Sequence, residues 1–415
     1  MRFLISKNIL GTNKDIIIDR DTFTTTLNNG SEWSVDGCST LKSLDVVSII
    51  NNRTVPEISS DVHRNAYSQL GVDKINWVYA LGIENFKYFI DKVSEYAEKE
   101  IKFIEENEYY SNEFIEGRSV LFELEDYRID DNVLNSHIKN ADIRNLKLLN
   151  GFKIKEKIKY SQISSITGRL SISSGPNILH LKREHRDIFK SKYGQDGAIV
   201  QIDFKSLEPR ILSLIMRDNV PFDLYTEASS IFSEKINRDI IKRATLAIIY
   251  GMSKSNLKNI LRVNNSEEIY DHIVDYFGIK NLQKVLLNSI EDSGIIQNFY
   301  GRKIYVSKEN SHLFVNYFTQ STGVDVSLLG FRKIIDEIKN KNLSISPIFV
   351  LHDALILDVH KNSIENLKNI IKDGIMIKGF KENKFPLDIS LFYKRIKNET
   401  TSTWLRYTYK QLRTF

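Results

Sequence analysis

The strongest constraint in this chain is a pair of apolar, β-branched runs, far apart in sequence, that each carry an aspartate at one end. AIVQIDF (Ala198 to Phe204) closes on Asp203-Phe204, and PIFVLHDALILDV sets two apolar runs around His352-Asp353. Such runs, bounded by turn residues, read as strands, and the second reads as a β-hairpin with a polar dyad at its turn. A carboxylate at a strand end is held rigidly yet reaches solvent, so it suits a hard cation such as Mg²⁺. Two of them can hold two ions about 3.5–4 Å apart, one activating an attacking hydroxyl and the other stabilising a leaving pyrophosphate. Taken singly, a strand-end aspartate is more often a turn or cap residue.

A second pattern lies between the two runs. RDIIKRATLAIIYG (Arg238 to Gly251) has helical periodicity and stops at a glycine. Arg238, Lys242, Leu246 and Tyr250 are four apart, and at about 100° per residue they share one side of that helix. Cations near a helix N-terminus oppose its dipole unless an anion sits there. A triphosphate is such an anion, and a tyrosine ring offers a stacking surface for a base. A solvated basic face beside a core tyrosine is the alternative.

The 415 residues suffice for two or three domains. The one cysteine, Cys38, rules out a disulfide framework within the chain and points to a reducing, cytoplasmic setting. No run approaches the roughly 18 apolar residues of a membrane span, and Lys7 interrupts any secretory h-region. Net charge is only +5, but Gly151–Tyr193 holds ten Lys/Arg against three Asp/Glu, while Glu95–Asp131 holds four against thirteen. A basic stretch of this kind suits a surface that meets an anion. Short β-rich runs (DIIID, SVDG, VVSII) fill the first 75 residues, and one amphipathic helix is expected over Asn85–Asn107 and another over Val133–Leu149. Asp19 and Asp21 form only an Asp-x-Asp after a short strand, which reads as a surface turn rather than a nuclease site.

Six segments, in order between Thr167 and Val359, resemble the motifs of the family A, bacterial polymerase I-like DNA polymerases. They are TGRLSISSGPNI, AIVQIDFKSLEPRI (with Asp203, Glu208 and Arg210), RDIIKRATLAIIYG, GRKIYV, NYFTQSTGVDV and VLHDALIL. The resemblance implies an α+β right-hand polymerase, with an antiparallel palm sheet and helical fingers and thumb. It allots 76–150 to the thumb, 151–207 and 311–415 to the palm and 208–310 to the fingers, leaving 1–75 without a role. It implies template-directed addition of dNTPs to a primer 3′-OH, with two Mg²⁺ (or Mn²⁺) ions bound by Asp203, Asp353 and the Phe204 carbonyl. Arg238 and Lys242 would contact the triphosphate, with Leu246 and Tyr225 beside the nucleotide. Tyr250 would sit at the template or nascent pair, and Glu208 would crowd the place of a ribose 2′-OH. Arg169, Asn177, Asn316, Gln320 and His352 would meet primer-template DNA.

The chain departs from the family pattern at several points. Ala354 stands where a glutamate is usual, Leu246 where an aromatic residue stacks, Tyr225 where a histidine contacts phosphate, and Lys205-Ser206 for the common Ser-Gln. An altered metal response and altered sugar discrimination are therefore expected. A monomer without exonuclease, of phage or mobile-element type and acting in the host cytoplasm, fits best. A single-subunit RNA polymerase or primase-like enzyme is opposed by Glu208, and a catalytically impaired DNA-binding relic is the other alternative.

Overall fold

In a computed structural model the described residues are 102–393, less 156–157, 218–219, 233–235, 262 and 264, together with the backbone of 2–5, 16–19, 22–24 and 33–35. The chain divides into two compact units, Met1–Glu108 and Tyr109–Phe415. In the first, β1 (Arg2–Ile5), β2 (Ile16–Asp19), β3 (Thr22–Thr24) and β4 (Trp33–Val35) make one sheet in the order β3-β2-β1-β4. Asp19 stands opposite Thr22 where β2 turns into β3. Asp21, the VVSII run and most of the Asn85–Asn107 segment lie outside the described residues; 102–106 of that segment are helical.

The second unit opens with helices α1 (Ser111–Arg118), α2 (Asp131–Lys139) and α3 (Ile143–Lys153). The single helix expected over Val133–Leu149 is thus two. The reason is capping: the Asp130 side chain accepts from the backbone N–H groups of Asn132 and Val133, and Asp142 accepts from that of Asn145. Aspartates hold helix N-termini better than they continue a helix, so Asp142 starts a new one. The basic stretch that follows is mostly short turns around the hairpin of β5 (Lys159–Ser161) and β6 (Ser171–Ser174).

Next come β7 (Gly197–Phe204), then α4 (Leu207–Met216), α5 (Leu224–Ser230), α6 (Arg238–Ile249), α7 (Lys254–Leu261), α8 (Ser266–Tyr276) and α9 (Ile279–Ser293). A small hairpin, β8 (Ile295–Gln297) and β9 (Lys303–Tyr305), leads to the long helix α10 (Phe314–Asn340). The chain then returns as β10 (Ile345–Leu351), β11 (Ala354–His360), α11 (Ile364–Ile371), β12 (Ile375–Met376), β13 (Lys384–Phe385) and β14 (Leu387–Leu391).

The architecture is α+β. Its centre is an antiparallel sheet in the order β10-β11-β7-β14, so β7 is flanked on both sides by strands from late in the chain. Apolar side chains of this sheet form one core with α10, and a second core gathers α4 to α9 with the start of α10. Helix α10 is buried around most of its 27 residues, as suits a helix between two cores. At Gly330 it meets β7 so closely that a Cβ would stand 2.7 Å from the ring of Phe204. That ring also packs against Phe331 and Phe385, which fixes the end of β7 on the helix.

Candidate functional site

The site is built where strands end. Asp203 is the penultimate residue of β7, directly opposite Ala354 of β11 and Asp388 of β14. The β10–β11 hairpin turns through His352-Asp353, with Leu351 paired to Ala354 and His352 at φ +56°. A two-residue turn with positive φ matches the twist of antiparallel strands. The Phe204 backbone N–H donates to the Asp353 carbonyl (3.3 Å), which ties this turn to the end of β7 and brings the two aspartates side by side.

Neither carboxylate is relaxed. Burial, then the charges of Asp353 and Asp388, hold the Asp203 carboxyl above its usual range, against the pull of Lys242 and Arg183. Burial also raises Asp353, against its own backbone hydrogen bond and the charges of Arg169 and Lys242. Crowded, partly buried carboxylates favour a nearby cation. Asp203, Asp353 and the Phe204 carbonyl are all-oxygen donors that fit a hard divalent ion. Among the described residues, no group of three or more His, Cys, Asp or Glu side chains stands together as a metal cluster.

After β7 the chain makes a sharp turn through Ser206 at φ +53° and enters α4, with Glu208 in its first turn. Burial pushes the Glu208 carboxyl up to about 7. The Tyr250 hydroxyl donates to Glu208 Oε1 (3.3 Å), while Oε2 is buried with no partner. Helix α6 is capped by the Asn237 side chain, which accepts from the Asp239 N–H. It ends at Tyr250 because Gly251 takes φ +85°, where a Cβ would meet the His312 carbonyl at 2.6 Å.

These elements enclose a cavity of about 300 Å³. Of the residues singled out in the sequence, Asp203, Phe204, Glu208, Tyr225, Lys242, Leu246, Tyr250, Arg169, Gln320, His352 and Asp353 all line it. Arg169 lies 3.1 Å from His352 Nδ1, and burial followed by the charge of Arg169 lowers the His352 pKa, so a neutral ring accepts from the guanidinium. Gln320 accepts from the Thr167 hydroxyl (2.8 Å). Buried Tyr225 is pushed up to about 12, chiefly by burial.

Three of the residues given a nucleotide or DNA role lie outside the cavity lining. Arg238 pairs with Asp223 (2.8 Å) and lies over the Tyr225 ring. Asn177 caps a short turn by accepting from the Leu179 N–H (3.1 Å). Asn316, on α10, has a buried Oδ1 without a partner.

Sequence reasoning missed the α10 residues Gly323, Val324 and Ser327, which line the cavity with Gln320. Their spacing from Gln320, three, four and seven, is one helix face and was available as a signal. It also missed Arg183, whose charge acts on Asp203 from within the basic stretch.

A family model described as DNA polymerase family A matches residues 136–396. This chain belongs to DNA polymerase family A. Among its family A relatives, the DNA polymerase I of Aquifex aeolicus (strain VF5) is 24% identical over 259 residues, which is 55% of this chain and 44% of that protein. The DNA polymerase of Bacillus phage SP01 is 25% identical over 259 residues, 51% of this chain and 28% of that one. The chain spans less than half the length of either. A solved structure, the POL domain of Pol1 from M. smegmatis in complex with DNA primer-template and dNTP, is 18% identical with a TM-score of 0.47. That match covers 63% of this chain and 55% of the other. Among the described residues of this family A chain, no helix is long and apolar enough to cross a membrane.

Proposed function

We propose that this chain is a template-directed DNA polymerase that adds dNTPs to a primer 3′-OH. The observation that carries this reading is the cavity to which β7 with α4, the β10–β11 turn, α6 and α10 bring residues of four different motifs, and Arg169 a residue of a fifth. The primer 3′-oxygen attacks the α-phosphorus of the dNTP; a new P–O bond forms and pyrophosphate leaves. Asp203 and Asp353, with the Phe204 carbonyl, would hold the two Mg²⁺ (or Mn²⁺) ions, which would supply charge neutralisation and lower the pKa of the primer hydroxyl.

The chain's own residues do the rest. The Lys242 ammonium, exposed on the cavity side of α6, binds the triphosphate and stabilises charge on the leaving pyrophosphate. Arg238 reaches the phosphates by leaving Asp223, and the Tyr225 hydroxyl contributes at the same end. Leu246 and Tyr250 pack against the sugar and the nascent pair. Glu208, held by Tyr250, fills the room a 2′-hydroxyl needs and selects dNTPs over rNTPs. Arg169, Gln320 and His352 offer donors and acceptors to the product minor groove, where acceptors are nearly sequence-independent. Asn177 and Asn316 position the strands from outside the cavity.

In right-hand terms, 151–207 and 311–415 form the palm, 208–310 the fingers and 76–150 the thumb. The reading takes the enzyme to act as a monomer in the cytoplasm. Primer extension on a DNA template tests the reading. Wild type extends with dNTPs and Mg²⁺, and Asp203→Ala lowers the rate by about a hundred- to a thousandfold, the scale lost with one catalytic electrostatic group. A wild type inactive with every divalent metal sinks it; a preference for rNTPs makes it an RNA polymerase instead.

A further inference from the structure

Arg302, the arginine of the GRKIYV motif, lies in the turn between β8 and β9 and is only 2% exposed. A buried guanidinium needs acceptors for its donors and a charge to balance it. It finds acceptors in the loop between β5 and β6, where Nη2 donates to the backbone carbonyls of Gln162 and Ser165, each at 3.3 Å. The same Ser165 carbonyl accepts from the Gly168 N–H (3.1 Å), and the Ser165 hydroxyl donates to the Arg169 carbonyl (3.0 Å). Gly168, at φ +76°, packs against the guanidinium so closely that a Cβ would stand 2.8 Å from Cζ. The turn that carries Arg169 is thus closed against Arg302.

The balancing charge is Asp325 of α10, buried to the same degree. Burial pushes its carboxyl up to about 6, against the hydrogen bond from Tyr110 and the charge of Arg302. Its Oδ1 accepts from the Tyr110 hydroxyl (2.5 Å) and the Gln162 side-chain amide (3.2 Å), and its Oδ2 from the Asn298 amide (2.6 Å). Gln162 therefore meets both charges, Asp325 with its side chain and Arg302 with its carbonyl. Neither charge lines the cavity, but Arg169 does, 3.1 Å from His352 Nδ1.

We infer that Arg302 and Asp325 are positioning residues: together they hold the Ser165–Arg169 turn so that Arg169 enters the cavity beside His352, where the product duplex lies. The inference rests on Arg169 meeting that duplex during extension. Neither residue touches substrate, and no covalent bond to either changes.

Single-turnover primer extension by the full chain, with a double-mutant cycle over residues 169 and 302, tests it. Arg302→Lys keeps the charge but loses the planar, rigid donor group. It lowers the extension rate by about ten- to a hundredfold, the scale of a small misplacement of a positioning group, and leaves the dNTP KM unchanged. In an Arg169→Ala background it costs nothing further, because the group it aims is gone. Asp325→Asn follows the same pattern. Ser165→Ala, which frees only the Arg169 carbonyl near the surface, loses less rate, again only while Arg169 is present, and it decides the matter where the buried variants do not fold. An unchanged rate in the deciding variant, or an equal loss with and without Arg169, overturns the inference.

Hydrogen exchange without DNA or nucleotide separates the two readings. The Gly168 amide exchanges faster in Arg302→Lys than in wild type, while the amides of β7 do not. That result without any extension by wild type removes only the polymerase. Extension by wild type, with exchange and rate unchanged in Arg302→Lys, removes only the positioning role.

Discussion

Glu208 shows how one side chain sets a pH dependence. Its carboxyl sits at about 7 in the fold because burial penalises the charged form, whereas an unfolded glutamate titrates near 4.3. Between those values the folded state holds the extra proton, so the contribution of Glu208 to stability declines as pH rises from about 4.3 to about 7 and stays low above it. Glu208→Gln is therefore expected to stabilise the metal-free protein at pH 8, by up to about 3–4 kcal/mol, and to change little at pH 4. Urea unfolding at the two pH values checks this; an equal gain at both would place the effect in packing instead. The residue was legible in the sequence by its distance from Asp203. Its state was not, because burial against Tyr250 depends on where α6 ends. Arg238 is a similar case: its helix position was readable, but its pairing with Asp223 across a turn was not.

At the level of elements, the strands and the helix around the two aspartates follow from pattern alone: the apolar runs of β7, β10 and β11, and the four-residue spacing of α6. β14 was overlooked although PLDISL alternates buried Leu387 and Ile389 with exposed Asp388 and Ser390. A five-residue strand with one acid looks like a loop until its neighbours are known. The packing of α10 on β7 was also out of reach, since Gly330 carries no sign of its partner in the sequence. Gly330→Ala forces a methyl to within 2.7 Å of the Phe204 ring, and overpacking of this kind costs about 1–3 kcal/mol. Denaturant midpoints should fall accordingly. Primer extension should fall with them even where the variant remains folded, because Phe204 adjoins Asp203.

For the whole molecule, charge placement matters more than net charge. His352 feels Arg169, Arg186 and His180, and Asp203 feels Arg183, so the basic stretch read from composition borders the cavity. Affinity for a primed duplex is expected to fall along a straight line of log affinity against log salt. Arg183→Ala should lower that slope by about one, the loss of a single phosphate contact. Fluorescence anisotropy across a NaCl series measures both, and a flat line would argue against DNA as the ligand. The acidic Glu95–Asp131 segment shows why the sequence could not give more: its glutamates are partly consumed within the fold, Glu123 by Arg332 and Lys339 and Glu125 by Lys192.

The hydrogen bond from the Phe204 amide to the Asp353 carbonyl has one more implication. It belongs to the main chain, so it joins the two aspartate-bearing segments whatever side chains surround them. Substitutions at neighbouring positions such as Ala354, Leu246 and Tyr225 therefore leave that backbone link in place.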